Sequence, residues 1–256
     1  MLTLVGLGLW GAKDVSVAGL EAIRAANRVF AEWYTARLSG ATMEDLEALY
    51  GRRVEVLPRE AVEDGGVILD AAAAGHAVLI AAGDALTATT HQDLRLRARE
   101  RGIETRVVHG ASIVAAAGAL LGLQNYKFGR TTTLVFPEPN YFPTSPYDVV
   151  KENLARGLHT LVLLDIRAHE TRYMSASEGA SLLLRMERER GEGALAPATL
   201  ACAVARAGSE APEVVAGPLE ALARTDLGAP LHTLVVPGRL HFAEEEALAA
   251  FARRVG

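Results

Sequence analysis

Residues 76–82 form an apolar run fenced by Gly75 and Gly83. It is too short to span a bilayer, and it lacks the polar alternation of a strand with one wet face. A run of this kind is buried on both sides, as in the interior of a parallel sheet. Parallel neighbours need crossover connections, usually helices, and the flanking sequence supplies them. Strands are predicted at 2–6, 28–32, 53–57, 76–82 and 104–109. Helical patterns fall between them. Residues 16–26 carry Val17, Leu20 and Ile23 at helical spacing behind Ser16 or Asp14 as cap, and 43–50 follows Thr42. Helices are also predicted at 66–74, 90–101 and 112–121. This alternation predicts a mostly parallel sheet with helices on both faces.

The pattern changes after about residue 122. A strand at 131–136 leads into a loop holding Pro137, Pro139, Pro143 and Pro146 beside Tyr141, Phe142 and Tyr147. A helix at 147–156, a strand at 159–166 and a helix at 177–190 capped by Ser177 follow. Segments 199–206 and 213–216, separated by Gly208-Ser209, read as a hairpin. A strand at 231–236 and a helix at 243–253 close the chain. A length of 256 residues, half of them hydrophobic, suits two packed lobes and excludes global disorder. The expected division is an N-terminal α/β domain over 1–115 and a C-terminal α/β domain with a mixed sheet over 116–256. A cleft between them is the expected place for a ligand.

Several function classes are excluded. A net charge of −5 is wrong for a globally basic nucleic-acid binder. A single cysteine, Cys202, allows no intrachain disulfide and fits a reducing compartment. The histidines lack metal spacing and no calcium-type carboxylate cluster occurs, so no metal is assigned. There is no G-x-S-x-G, no Walker lysine, no secretory signal and no membrane-spanning run.

Three strand ends carry the candidate chemistry. Gly6-Leu7-Gly8-Leu9-Trp10-Gly11 matches G-x-G-x-x-G after a strand, with Glu32 as an acidic residue further on. The following helix starts only near Ser16, and Trp10 is bulky where a phosphate would approach. A plain turn, a cofactor loop without phosphate cradling and a dinucleotide site all remain open. Asp84 follows the most apolar strand, placed to accept hydrogen bonds from a ligand or to cap the next helix. His109-Gly110-Ala111-Ser112-Ile113 is a second strand-to-helix junction, where backbone N–H groups at 112–113 suit a carboxylate or a purine edge. His232 opens the last strand, where a lone histidine is more often a satisfied core or edge residue than a ligand group.

These pieces in this order resemble a known family. Leu4-Val5-Gly6-Leu7-Gly8-Leu9 resembles the cofactor loop of the tetrapyrrole-methylase-like, S-adenosylmethionine-dependent methyltransferases. Ala31-Glu32-Trp33-Tyr34-Thr35, the segment from Gly83-Asp84 to Thr90-His91, and His109-Gly110-Ala111-Ser112-Ile113 are similar to the diphthine synthase family within it. So are Asn125-Tyr126-Lys127-Phe128-Gly129, Ser145-Pro146-Tyr147-Asp148, Lys151-Glu152-Asn153-Leu154, Leu161-Val162-Leu163-Leu164-Asp165-Ile166 and the stretch from Pro230 to Gly238. The resemblance runs from the first strand to about His241.

It implies two α/β domains of the tetrapyrrole methylase type with S-adenosylmethionine in the cleft between them. It also implies a cytoplasmic homodimer that methylates the amino group of a modified histidine on translation elongation factor 2, in diphthamide biosynthesis. Neither nucleic acid nor membrane is an expected partner. Matching positions give Leu9, Asp84, Thr87, Ser112, Ile113, Leu163, Ala207 and His232 as cofactor residues. The family often has Pro after the Gly-Asp pair, where this chain has Ala85. No catalytic residue is assigned. Tyr126, Asp165, His169 and Glu170 are candidates for the acceptor side. Two rival readings are a tetrapyrrole C-methyltransferase of the same fold and a nucleotide-binding module without turnover.

Overall fold

The computed structural model describes residues 1–34 and 36–256, without the side chain of His169. Thr35, which ends one of the motifs above, lies outside the described residues. The chain divides into two compact units. One is Met1–Ser112 with Arg167–Thr171, the other Ile113–Ile166 with Arg172–Gly256.

In the first unit, β1 (Leu2–Gly6), β2 (Arg28–Glu32), β3 (Val54–Leu57), β4 (Ala77–Ala81) and β5 (Thr105–Val108) alternate with helices. These are α1 (Val17–Ala25), α2 (Met43–Tyr50), α3 (Arg59–Asp64), α4 (Gly66–Ala74) and α5 (Gln92–Glu100). Among the described residues the strands form an all-parallel sheet in the order β3-β2-β4-β1-β5. Side chains alternate across it with period two. Val5, Val29, Ala31, Val78 and Ile80 meet Ala22 and Ile23 of α1 and Leu46 and Tyr50 of α2. Leu2, Leu4, Phe30 and Leu79 meet Val62, Ile68, Leu69, Leu94 and Ala98 of α3, α4 and α5 on the other face. Each fully buried Leu or Ile contributes about 1.5–3 kcal/mol. The adjacent strands β1 and β4 send their connections to opposite faces, so the chain parts above their carboxyl ends. That is the topological switch point where open α/β sheets bind ligands.

The second unit holds α6 (Ile113–Leu121), β6 (Thr132–Leu134), α7 (Ser145–Ala155), β7 (Thr160–Leu164) and, apart from Arg167, a two-stranded ribbon, β8 (Ile166–Arg167) with β9 (Arg172–Tyr173). Next come α8 (Ala176–Arg190), β10 (Leu200–Ala205), β11 (Glu213–Pro218), α9 (Leu219–Leu222), β12 (His232–Val236), α10 (Phe242–Phe251) and β13 (Arg253–Arg254). Its main sheet runs β13-β11-β10-β12-β7-β6 and is mixed: β6–β7 and β11–β13 are parallel, the pairs between them antiparallel. Helices α6 and α10 pack on Leu161, Cys202, Val204 and Val235. Helices α7, α8 and α9 pack on Val162, Ala203, Leu234 and Val236.

One helix falls outside the sequence expectations and one cap is corrected. Helix α3 is a single short stretch confined by Pro58 as N-cap and Gly65 at φ +67° as C-cap. The cap of α8 is Ser175, not Ser177. The Ser175 hydroxyl accepts from the Glu178 amide at 3.1 Å, and the Glu178 carboxylate accepts from the Ser175 amide at 2.9 Å. This reciprocal S-x-x-E box needs an acid three residues on, which Ser177 lacks because Ala180 stands there.

Candidate functional site

At the carboxyl edge of the parallel sheet, four glycines let backbone meet backbone. Gly8 and Gly83 exchange hydrogen bonds, with N–O distances of 3.1 and 2.6 Å, and both have left-handed φ, +86° and +71°. A Cβ on Gly6 would sit 2.6 Å from both the amide nitrogen of Gly110 and the carbonyl oxygen of Gly83. Only glycine permits that approach.

The first loop is not a phosphate cradle. The amides of Trp10 and Gly11 donate to Asp14 Oδ2 at 2.7 and 3.1 Å, so the groups that would meet a pyrophosphate already hold a carboxylate. A 3-10 turn, Ala12–Asp14, separates the loop from α1, whose cap is Ser16. The Trp10 indole lies over Gly40. Glu32 is buried, and its carboxylate accepts from the Tyr34 amide at 3.2 Å. The dinucleotide reading of the glycine motif therefore fails. Leu9 remains half-buried beside Gly8.

Asp84 is the polar centre of this edge. Its Oδ1 accepts from the Leu86 amide at 3.0 Å and the Thr87 hydroxyl at 3.2 Å. Its Oδ2 accepts from His109 Nδ1 at 2.7 Å and the Gly110 amide at 3.3 Å. The Asp84 side chain is 9% exposed, the His109 ring 73%. Burial works against ionisation here, but the Leu86 amide, His109 and the Gly110 amide outweigh it and hold the carboxyl below its ordinary value. Asp84 does not cap α5, which starts at Gln92 behind His91. Ala88, next to Thr87, takes φ +55°, an uncommon conformation for a residue with a Cβ. Leu9, Asp84, Thr87 and Ser112 thus all lie in the loops after β1, β4 and β5.

In the second unit the remaining positions gather at one end of the mixed sheet. Leu163 is near the carboxyl end of β7, Ala207 follows β10, and His232 begins β12, paired with Ala205. Ile113, Leu163 and Ala207 pack half-buried against the same apolar cluster. The His232 ring turns to the other face. Its Nδ1 accepts from the Ala176 amide at 3.2 Å and its Nε2 donates to the Ala229 carbonyl at 3.0 Å. Burial, with Arg206 nearby, lowers its pKa, so the neutral ring serves as an acceptor and a donor at once. Both nitrogens are spent on the protein. Arg206, which sequence reasoning passed over, also adopts a left-handed φ of +54°. Its guanidinium donates to the carbonyls of Leu227 and Ala229 at 2.5 and 3.3 Å.

The acceptor-side candidates separate. Asp165 is structural in part: Oδ2 accepts from the Phe136 amide at 2.9 Å and its carbonyl from the Met174 amide at 3.0 Å. Tyr126 is 80% exposed, and Glu170 pairs loosely with Arg167 at 3.8 Å. The side chain of His169 lies outside the described residues. Among the described residues no group of acids, histidines and cysteine is placed to hold a metal, and no helix is long and apolar enough to cross a membrane.

Residues 1–223 match the profile of the family described as Tetrapyrrole (Corrin/Porphyrin) Methylases. The diphthine synthase of Methanocella arvoryzae is 52% identical over 250 residues, covering 97% of this chain and 96% of that protein. That of Methanocaldococcus jannaschii is 47% identical over 251 residues, covering 97% of each. A crystal structure of diphthine synthase superposes with a TM-score of 0.90 at 37% identity, over 99% of this chain and 96% of that one. With its glycine-lined strand ends, its buried aspartate and this full-length likeness, the chain belongs to the tetrapyrrole methylase family and, within it, to the diphthine synthases.

Proposed function

We propose that the protein methylates the amino nitrogen of the modified histidine of translation elongation factor 2, using S-adenosylmethionine as donor. It is a methyltransferase of diphthamide biosynthesis, and the observation that carries this is the 52% identity to a diphthine synthase over 97% of the chain. The protein substrate is a translation factor, which fits a cytoplasmic enzyme; as the resemblance implies, it works as a homodimer.

The residues fit the donor. Asp84 is an ionised, nearly buried carboxylate, suited to the ammonium or hydroxyls of such a molecule. Its lone pairs are already taken by four donors, so a ligand N–H or O–H replaces the weakly held Thr87 hydroxyl. Thr87 is then free to bind the ligand itself, which gives that position its role. Leu9, Ile113, Leu163 and Ala207 offer apolar walls and backbone groups, and Ser112 and His232 backbone polar groups.

When bound, S-adenosylmethionine supplies a methyl group on a sulfonium, and its leaving group is a neutral thioether that needs no protonation. The acceptor amine must shed a proton before it attacks. For an amine titrating about two units above neutral pH this costs about 2.7 kcal/mol. Holding reactants in line is worth about 7–11 kcal/mol. Positioning therefore outweighs base catalysis.

The test is mass spectrometry of elongation factor 2 after incubation with enzyme and labelled donor. The expected result is a gain in multiples of one methyl group on the precursor-modified protein and none on the unmodified one. Methylation of a porphyrinoid instead would favour the tetrapyrrole reading, which the near full-length relatives do not support.

A further inference from the structure

The geometry points to His91 as a positioning residue: it fixes the peptide plane between Ala85 and Leu86, and through that plane the carboxylate of Asp84. The inference rests on Asp84 lying in the donor site.

His91 is 2% exposed and makes one hydrogen bond, from Nδ1 to the Ala85 carbonyl at 2.9 Å. A carbonyl only accepts, so Nδ1 carries the proton. Nε2 has no partner among the described residues. The imidazole therefore spends its only bond on a backbone group six residues back in the loop. That group belongs to the same peptide unit as the Leu86 amide, which donates to Asp84 Oδ1 at 3.0 Å. One planar unit is thus gripped at both ends, its C=O by His91 and its N–H by Asp84. A peptide cannot turn its oxygen without turning its hydrogen. Hydrogen bonding at the carbonyl also polarises the unit and strengthens its N–H as a donor.

The loop needs this grip. It begins at Gly83 with φ +71°, which glycine adopts freely, and contains Ala88 at φ +55°, a sparsely populated conformation for a residue with a Cβ. Position 85 is Ala, with no ring to stiffen the turn. Its other anchors are Asp84's own bonds and the exchange between Gly8 and Gly83. Without His91 the 85–86 plane loses one of its two grips, the Leu86 amide is held less firmly against Oδ1, and the carboxylate shifts from the ligand-binding orientation.

Two substitutions separate positioning from packing. His91→Asn keeps an N–H donor where Nδ1 stands and exchanges one bare acceptor for another. His91→Leu keeps bulk and removes the donor. In the full-length enzyme, His91→Leu is expected to raise the KM for S-adenosylmethionine at least tenfold while kcat falls less than threefold. His91→Asn is expected to stay within threefold of wild type in both. A wild-type KM in His91→Leu, or equal impairment in the two variants, overturns the proposal. Should His91→Leu not fold, His91→Gln replaces it, because its amide lies one carbon farther out and misses the Ala85 carbonyl. Gln behaving like Asn is then the overturning result. Asp84→Asn is assayed in parallel. If it leaves donor affinity unchanged, the reading of the site fails; if it weakens affinity while His91→Leu does not, only the role of His91 fails.

Discussion

Oδ2 of Asp84 lies 2.7 Å from Nδ1 of His109, joining two strand ends 25 residues apart in sequence. Because an ionised carboxylate only accepts, His109 is held with its proton on Nδ1 and Nε2 turned toward solvent. Replacing Asp84 by Asn removes the charge and puts an amide donor against either the His109 and Gly110 donors or the Leu86 amide. Bonds to a charged group are worth about 1.5–3 kcal/mol, so donor affinity is expected to fall about ten- to hundredfold. Titration calorimetry with S-adenosylmethionine reads this, and a thermal melt shows whether the fold is spared. Because the folded pKa of Asp84 is depressed, its carboxylate stays charged from neutral pH to below the ordinary carboxylate range. Affinity between pH 5 and 8 should carry no Asp84 titration.

Gly110 and Gly11 make opposite predictions. A Cβ on Gly110 would stand 2.4 Å from the Gly83 carbonyl oxygen and 2.6 Å from the Gly6 carbonyl carbon, both backbone. Backbone packed against backbone at these strand ends yields little, so Gly110→Ala should cost about 3 kcal/mol, the upper end for overpacking, and abolish donor binding. A Cβ on Gly11 would meet nothing within 4 Å, and its φ of −121° suits any residue. Gly11→Ala should leave stability within about 0.5 kcal/mol of wild type, or raise it slightly by restricting the unfolded chain. Urea denaturation of both variants decides. A severe loss in Gly11→Ala would show that something packs closely on that glycine, as the dinucleotide reading requires.

Much of this was legible in the sequence because burial and period report directly on strands and helices. The runs at β1 and β4 have no wet face, so they could only be interior strands, and the hairpin of β10 and β11 was marked by Gly208-Ser209. Individual partners were not legible. That Asp14 turns back to occupy the amides of Trp10 and Gly11 depends on a 3-10 turn that no periodicity announces. That both His232 nitrogens are consumed by Ala176 and Ala229 depends on where α8 begins, which is a tertiary fact. Arg206 left no signal, since a left-handed φ without glycine is invisible in composition. His91 was visible only as the end of a motif.

The cap of α8 offers a direct test of one correction. Ser175→Ala removes the hydroxyl that accepts from the Glu178 amide, at a cost of about 1 kcal/mol. Ser177 lies inside the helix, and among the described residues its hydroxyl meets that of Ser175, at 3.0 Å. Ser177→Ala should change stability by less than about 0.5 kcal/mol. Equal losses from the two variants in chemical denaturation would place the cap at neither residue alone.

Glu244 carries the last prediction. It is fully buried on α10, and it accepts from the Gln124 amide at 2.8 Å, the His241 amide at 2.8 Å, His159 Nε2 at 2.9 Å and the Lys127 ammonium. Burial opposes its charge, but Lys127 and the two amides, with His159, pull its pKa down to about 2. A carboxyl whose folded pKa is depressed stabilises the fold above its unfolded value and loses that contribution as pH falls through the folded one. The stabilisation from Glu244 is therefore full above about pH 4.5 and fades toward pH 2. His159 adds a second acid sensitivity in the same direction. Burial depresses its pKa, and its neutral ring accepts from the Gly238 amide at 3.0 Å, so the unfolded chain takes up a proton first as pH drops below about 6.5. Glu244→Gln leaves Lys127 without its counter-charge and should cost about 3 kcal/mol at pH 7. The difference between variant and wild type, followed by denaturation midpoints, should shrink between pH 4.5 and 2. A constant difference across that range would mean that the carboxylate's charge is not what holds α10 to the loop at 124–127.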